Sequence, residues 1–392
     1  MAAARNSGTY SSQIRFTSND SLEIHDYRTS YKLQKITTRK FRDTSNWYHI
    51  VMSNDNSVSS PDLKIYVNGV EETAFDTDNE YSQNETTSFN NIYPNYIGQK
   101  GSGADYFDGS ISHFHFIDGT AYDADTFGSL DSVTGEWKIK TDVSVTYGTN
   151  GFFLLKDDNA VTDQSGNSNN WTVAGGTLTK TEDNPSNVFA TMNPLHYESR
   201  NTLFYDGNTT LVSTGSPGWT DKYGLSTLAM GSGKYYLEVK VENTGAGAQS
   251  YPIGIIAVDK TITSSIHDNG VAAVRSDTGN IVGNGSNIQT GLTAISAGDI
   301  LGASFDATNG TIQFYRNGST HGNAVTGIDT TKEYYFGCDT YDGSSQFKFN
   351  FGNGTFGSSG ISDAGTNASN NGIFEYDVPA GYTALSTKGL NL

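Results

Sequence analysis

Short runs of alternating apolar and polar residues recur along the chain, each ended by Asn, Asp, Ser or Gly. "GDILGASFDATNGTIQFYRNGS", residues 298–319, holds two such runs and closes on Asn-Gly; "LKIYVNGVEE", residues 63–72, carries the same Asn-Gly. A period of two puts alternate side chains on opposite faces of a strand. Leu63, Ile65 and Val67 therefore share one face, with Lys64 and Tyr66 on the other. Asn-Gly supplies the positive φ of a tight hairpin turn. Runs of this kind, spaced by roughly 8–12 residues and almost without helical period, predict an all-β chain of antiparallel β-sandwiches. The repeated ending suggests related architecture without requiring duplication, because any two sandwiches share such turns.

With 392 residues the chain exceeds one ordinary core and has room for two or three domains. Its 44 glycines against 7 prolines, with 23 Tyr and 20 Phe, suit many turns and strands. Only 17% of residues are charged, so much of the surface is Ser, Thr, Asn and Gly. The formal net charge of −18 repels phosphate backbones and argues against nucleic-acid binding. Cys338 stands alone, so no intrachain disulfide forms, and "YYFGCDTY" places it in or at the end of a strand as a buried thiol. No stretch reaches 18 apolar residues, so no membrane insertion is expected. The opening "MAAARNSGTY" lacks the apolar core of a secretory leader, which predicts synthesis in the cytoplasm.

Strand-like runs fill residues 14–70 and return in "NYIGQK", "DGSISHFHFIDG" and "GFFLLKD". Between 158 and 200 the pattern weakens and Pro185 and Pro194 appear, which predicts a connector across the surface. A second β block runs from 201 to 360, followed by a Gly/Ser/Asn-rich C-terminal extension over 361–392. The expected division is therefore 1–157, 158–200, 201–360 and 361–392.

Catalytic and metal signals are sparse. A glycan hydrolase of sandwich type needs carboxylates alternating along one strand, and no Glu-x-Asp-x-Glu-like run lies on a predicted strand. "SHFHFID" places His113 and His115 two apart on one strand face, as a metal pair or as ordinary half-buried imidazoles. Asp118, Asp123 and Asp125 in "DGTAYDADTFG", with Asp163 and Asn167 in "DQSGNSNNW", offer oxygens for a structural Ca2+. Asx-turn chemistry is the alternative use of the same residues. No other cofactor is expected.

Residues 233–241 ("GKYYLEVKV"), 252–259 ("PIGIIAVD"), 298–318, 333–341 ("EYYFGCDTY") and 347–353 ("FKFNFGN") occur in the order found in SPRY domains, which the second block resembles. The resemblance implies a bent two-sheet sandwich without enzymatic activity that binds partners through loops at one edge. Trp219, Tyr223, Tyr251 and Tyr341 fall in expected loops of this block and are the candidate ligand-binding aromatics. The first block is similar to concanavalin-like, laminin-G-type sandwiches through "NWYHIVMS" (46–53), "LKIYVNGVEE" (63–72), residues 96–122 and "DQSGNSNNW" (163–171). Such domains usually open with a strand pair ahead of the stretch equivalent to "QIRFTSNDSLEI", so an open sheet edge is expected near the N-terminus. That edge predicts a homo-oligomer or docking onto a neighbouring chain, with the first 15 residues at the contact.

The order of parts also resembles large virion proteins of marine tailed bacteriophages, above all through the connector "DNPSNVFATMNPL" (183–195) and the ending "YDVPAGYTALSTKGL" (376–390). The resemblance implies a non-enzymatic fibre, appendage or capsid-surface protein on the virion surface. Its expected partners are other virion proteins and host or environmental glycans. A bacterial lectin-like adhesin and a glycan hydrolase are the alternatives.

Overall fold

The alternating runs form strands in a computed structural model that describes all residues except 1, 7–9, 44–45, 102–104, 108, 133–134, 157–160, 176–177, 179–181, 186, 196–200, 215–222, 246–248, 261–264, 342, 362 and 392. Two units divide the chain, Met1–Leu178 and Thr179–Leu392. The first begins with β1 (Ala2–Asn6), β2 (Tyr10–Phe16), β3 (Ser21–Arg28) and β4 (Ser30–Lys40). It continues through β5 (Ile50–Ser53), β6 (Lys64–Val67), β7 (Val70–Glu71), β8 (Phe75–Asn79) and β9 (Asn95–Ile97). Then come β10 (Phe114–Phe116), the one-turn α1 (Ala124–Phe127), β11 (Gly128–Leu130), β12 (Trp137–Ile139) and β13 (Phe152–Leu154).

Six strands of this unit make one antiparallel sheet, in the order β8-β4-β3-β2-β1-β9, and β5-β6-β7 make another. Leu22, Ile24 and Leu33 from the larger sheet pack on Leu63, Ile65 and Val67, the face that period-two reading assigns to the core. The open N-terminal edge expected from sequence is not there. Residues Ala2–Asn6 pair with β2 on one side, and Ala2–Ala4 pair with β9 on the other. Small side chains explain the misreading: Ala2, Ala3 and Ala4 are buried but give no alternating signature. Self-association through an uncovered edge at this strand loses its basis.

The second unit contains β14 (Thr202–Tyr205), β15 (Thr210–Ser213), β16 (Tyr223–Leu225), β17 (Lys234–Asn243) and β18 (Tyr251–Ala257). After the one-turn α2 (Ile266–Asn269) follow β19 (Ala272–Val274), β20 (Ile281–Gly283), β21 (Ser286–Gln289), β22 (Ile300–Asp306), β23 (Thr311–Arg316) and β24 (Ser319–Thr326). The unit closes with β25 (Tyr334–Asp339), β26 (Gln346–Asn350), β27 (Thr355–Phe356), β28 (Ser359–Gly360) and β29 (Thr383–Ala384). One sheet runs β14-β15-β26-β17-β22-β23-β24, with β29 parallel to β17; the other runs β16-β25-β18-β19-β20-β21. Leu237, Val239, Phe305, Phe314 and Phe347 of the first face Ile253, Ile255 and Phe336 of the second, with Cys338 buried among them. Burial pushes the Cys338 thiol far up, away from thiolate chemistry.

The shared Asn-Gly ending has one structural cause in both units. Asn68-Gly69 and Asn317-Gly318 each hold φ values of 49–50° and 77–78° and link directly paired strand residues, Val67 to Val70 and Arg316 to Ser319. Each Asn side chain also accepts a backbone N–H from another segment, His49 N to Asn68 Oδ1 at 2.8 Å and Ile300 N to Asn317 Oδ1 at 2.9 Å. The turn therefore demands Asn twice over, for its positive φ and for its carbonyl.

The outward face of β17 is covered by chain from both ends of the unit. Phe189, Phe374, Val378 and Ala384 pack around Tyr236. The segment expected as a surface connector thus contributes Phe189 here, and Ala190 and Met192 to the main core. Its backbone pairs with the C-terminal segment, Ala190 N to Leu385 O and Thr387 N to Val188 O, both at 2.9 Å. Glu238 fastens the extension to the sheet: its carboxylate accepts Glu375 N at 2.8 Å, Tyr376 N at 2.9 Å, the Tyr236 hydroxyl at 3.2 Å and the Asn350 amide at 3.4 Å.

Candidate binding surfaces

The SPRY-like reading directs attention to one end of the β16-β25-β18 sheet. Tyr223 pairs with Asp339, and Asp339 with Tyr251, so three strand ends lie in line. Beside them Ser276 N donates to Ser250 O at 2.8 Å. The loops beyond are tied together: the hydroxyls of Ser250 and Ser345 both donate to Thr244 O, at 3.2 and 3.0 Å. On the outer side α2 is held by Ile266 N donating to the Asp339 carboxylate at 2.8 Å.

The four aromatic candidates fare differently. Trp219 lies outside the described residues. Tyr223 is not a loop residue; it opens β16 and is buried against Leu225 and Ile256. Tyr251 likewise opens β18 and is buried with Ile266, Ala273 and Val282, its ring centroid 6.0 Å from that of His267. Burial pushes the Tyr251 phenol up to about 12. Pro252 follows directly, and a register shift between Tyr251 and Gly254 lets the strand begin before it. Tyr341 remains at the rim, half-buried in the loop after Asp339.

Two charged pairs without an aromatic signature complete the rim. Arg275 makes a two-pronged contact with Asp277, Nε to Oδ1 at 2.6 Å and Nη2 to Oδ2 at 2.7 Å. His267 and Asp268 meet on α2 at 2.8 Å. In a chain this poor in charge, the Arg-x-Asp spacing across "RSDTGN" was the readable signal.

The acidic candidates of the first unit do not converge. Among the described residues no group of three or more His, Cys, Asp or Glu is arranged to hold a metal. Asp118 accepts the Asn90 amide and Asn150 N, and Asp123 accepts the Tyr66 hydroxyl. Asp125 is an exposed residue of α1. Asp163 is an Asx-type anchor: it accepts Phe153 N, Ser165 N, the Ser165 hydroxyl and Asn169 N at 2.8–2.9 Å. Asn167 instead donates its amide to Gly148 O and Gly151 O. Burial alone would raise the Asp163 carboxyl, and the four donors hold it below its ordinary value. Asp163→Ala will strand three backbone N–H groups and lower the unfolding free energy of the first unit by about 2 kcal/mol, measurable by denaturant titration.

The two histidines expected on one strand face do not share it: His113 precedes β10 with a φ of 49°, and His115 alone lies in the strand. His115 stacks on Phe153 at a ring distance of 3.9 Å and hydrogen-bonds the Tyr147 hydroxyl at 2.8 Å. His113 turns its Nδ1 to the Ser112 hydroxyl at 2.7 Å. His49 accepts the Trp137 indole N–H at 2.8 Å. Burial, with His113 adding repulsion, pushes the imidazoles of His49 and His115 down to about 4.

Comparison with known proteins gives each unit a family. Residues 1–125 match the laminin-G-type model of the concanavalin A-like lectin/glucanases superfamily, and residues 234–354 match the SPRY domain. The SPRY domain of human HERC1 is similar at 21% identity over 40% of this chain and 96% of its own, with a TM-score of 0.34. The TRIM65 PSpry domain is similar at 16% identity over 41% of this chain and 91% of its own, with a TM-score of 0.33. Stonustoxin matches at 21% identity over 41% of this chain and 27% of its own, with a TM-score of 0.32. No curated protein matches the chain. The chain thus carries a concanavalin-like module followed by a SPRY domain. Modules of these kinds bind carbohydrate or protein and are typically non-catalytic.

Proposed function

We propose that this chain, a concanavalin-like module followed by a SPRY domain, is a non-enzymatic binding protein carried on the surface of a tailed-phage virion. Its SPRY rim recognises a host-surface component or another virion protein. The observation that carries the reading is the convergence at one sheet end of Tyr341, the Arg275–Asp277 pair and the His267–Asp268 pair around the aligned strand ends of Tyr223, Asp339 and Tyr251. Folded loops tied to one another give a preorganised recognition edge, which limits the entropy lost on binding.

The phage assignment rests on the resemblance carried by residues 183–195 and 376–390. The mutual pairing of these segments, Val188 and Ala190 with Leu385 and Thr387, supports it. They act as one structural element, so their joint occurrence reflects a shared way of completing the SPRY unit.

The purified chain should compete with intact particles for adsorption to host cells, and an antiserum against it should label those particles. Tyr341→Ala should weaken competition about tenfold, the loss of ~1–2 kcal/mol expected of an aromatic anchor. Competition unaffected by Tyr341→Ala and Arg275→Ala together would remove the SPRY rim from recognition.

A further inference from the structure

One lysine reaches from the larger sheet of the first unit to the chain that enters the smaller one. Lys35 lies on β4 two residues after Leu33, so the two share the strand face turned to the core. Lys35 is only 2% exposed, and an ammonium at that depth needs oxygen partners. Its Nζ donates to Asp62 Oδ1 at 2.9 Å and to Leu63 O at 2.8 Å, both in the segment that leads into β6. It also meets Glu80 Oε1, just beyond β8, and Asp78 Oδ1 at 3.4 Å. The Phe75 ring adds an apolar wall, its centroid 4.7 Å from Nζ.

Asp62 and Glu80 are also hydrogen-bonded to each other. Two bare carboxylates only accept, so one of the pair carries a proton. Burial raises the Glu80 carboxyl against the pull of Lys35, whereas the hydrogen bond from Lys35 lowers that of Asp62. The proton therefore rests on Glu80. Leu63 N donates to Glu80 Oε2 at 3.0 Å and fixes this side chain beside both the lysine and the aspartate. Burial alone would lower the Lys35 ammonium, and its bonds to Glu80 and Asp62 hold it above its ordinary value. The amine is charged at rest and becomes a nucleophile only when a touching base takes one of its protons. The Asp62 side chain is 59% exposed, which gives a small leaving group a way out to solvent.

We propose that Lys35 and Asp62 condense into an intramolecular isopeptide bond, with Glu80 as the catalytic proton carrier. Glu80 gives its proton to the Asp62 carboxylate and takes one from the Lys35 ammonium. The free amine attacks Asp62 Cγ, and a C–N bond forms. Glu80 then passes a proton from the nitrogen to one hydroxyl of the tetrahedral carbon, the C–O bond breaks and water leaves. The product is a neutral amide, Glu80 holds its proton again, and no oxidant, reductant or cofactor enters. Condensation of free ions in water is unfavourable, but groups held in contact react with effective molarities on the order of 10⁵ M or more. Burial beside Phe75 further favours the step, because it removes two charges from a poorly solvated place. The bond ties β4 covalently to the chain entering β6. It lies in the first unit and does not depend on the reading of the SPRY rim.

Mass spectrometry of the full chain, purified, incubated at neutral pH and then denatured, tests it. The wild type should be lighter than its sequence mass by one water. Trypsin should no longer cut after Lys35, and peptide 33–39 should appear joined to peptide 43–64. Asp62→Ala should keep its full mass. Asp62→Asn should lose ammonia instead of water and reach the same final mass as the wild type. Glu80→Gln should form the bond about a hundredfold more slowly or not at all, with an unchanged circular dichroism spectrum. The wild-type measurement decides the matter even where a variant does not fold. A wild-type chain that keeps its full mass, a water loss mapped to any other pair of peptides, or a bond that forms at the wild-type rate in Glu80→Gln would overturn the proposal.

Discussion

Glu238→Ala will lower the stability of the second unit by about 3–5 kcal/mol and release its C-terminal segment, because it removes the acceptor of three buried donors, while the Asn350 amide keeps Ile373 O at 2.9 Å. Two of those donors are backbone N–H groups of Glu375 and Tyr376, which β17 reaches by no other side chain described. Proteolysis between residues 363 and 380 should therefore accelerate in the variant while the first unit resists. The same carboxyl makes the unit sensitive to pH. Burial pushes it up to about 7, against the pull of Glu375 N, Tyr376 N, Tyr236 and Asn350. An acid whose value rises from 4.5 to about 7 on folding holds its proton more tightly in the folded state. Its contribution is complete below about pH 4.5 and is lost as pH rises through 7, a change of about 3 kcal/mol. Glu238→Gln should flatten this slope. It should also cost about 1–2 kcal/mol at pH 5, since one amide hydrogen then faces a backbone N–H. Denaturant titrations of wild type and both variants between pH 5 and 8 check the sign and the size.

The first unit should respond in the opposite sense. His49 and His115 sit at about 4 when folded, against 6.5 for a free imidazole. A base depressed in this way is held neutral by the fold, so its contribution is complete above about pH 6.5 and is lost as pH falls towards 4. At ~1.4 kcal/mol per pH unit each would contribute about 3 kcal/mol, and partial exposure reduces this to about 2. Acidification from pH 7.5 to 4.5 should therefore loosen the first unit while the second holds. His115→Phe keeps the stacking on Phe153 and loses the Tyr147 hydrogen bond. It should cost under about 1 kcal/mol at pH 7.5 and be more stable than wild type at pH 4.5. A first unit that melts at the same temperature at both pH values would contradict the buried, neutral state of these rings.

The fold was legible because period two survives averaging over many strands: Leu63, Ile65 and Val67 announced their face, and Asn68-Gly69 its turn. What escaped depends on tertiary partners. Tyr223 and Tyr251 sit beside polar or proline-containing sequence, and only pairing with Asp339 draws them into strands. Ala2–Ala4 form a buried strand without bulky alternation, so the first sheet looked trimmed. Phe189 and Phe374 lie far apart in sequence and meet on the back of β17, a layer no local pattern encodes. Arg15, His25 and Gln34, which hydrogen-bond Glu23, come from three separate strands and carry no local pattern that joins them. Register, set by hairpin geometry, brings them side by side.

The proposed role is that of a two-module binding protein on the outside of a phage particle. An averaged image of the intact particle tests it most directly. The account predicts exterior density that accommodates both β-sandwich units, with the SPRY rim of Tyr341 and Arg275 turned towards solvent or towards a neighbouring virion protein. Purified particles that lack the chain, or that carry it enclosed within the capsid, would contradict it.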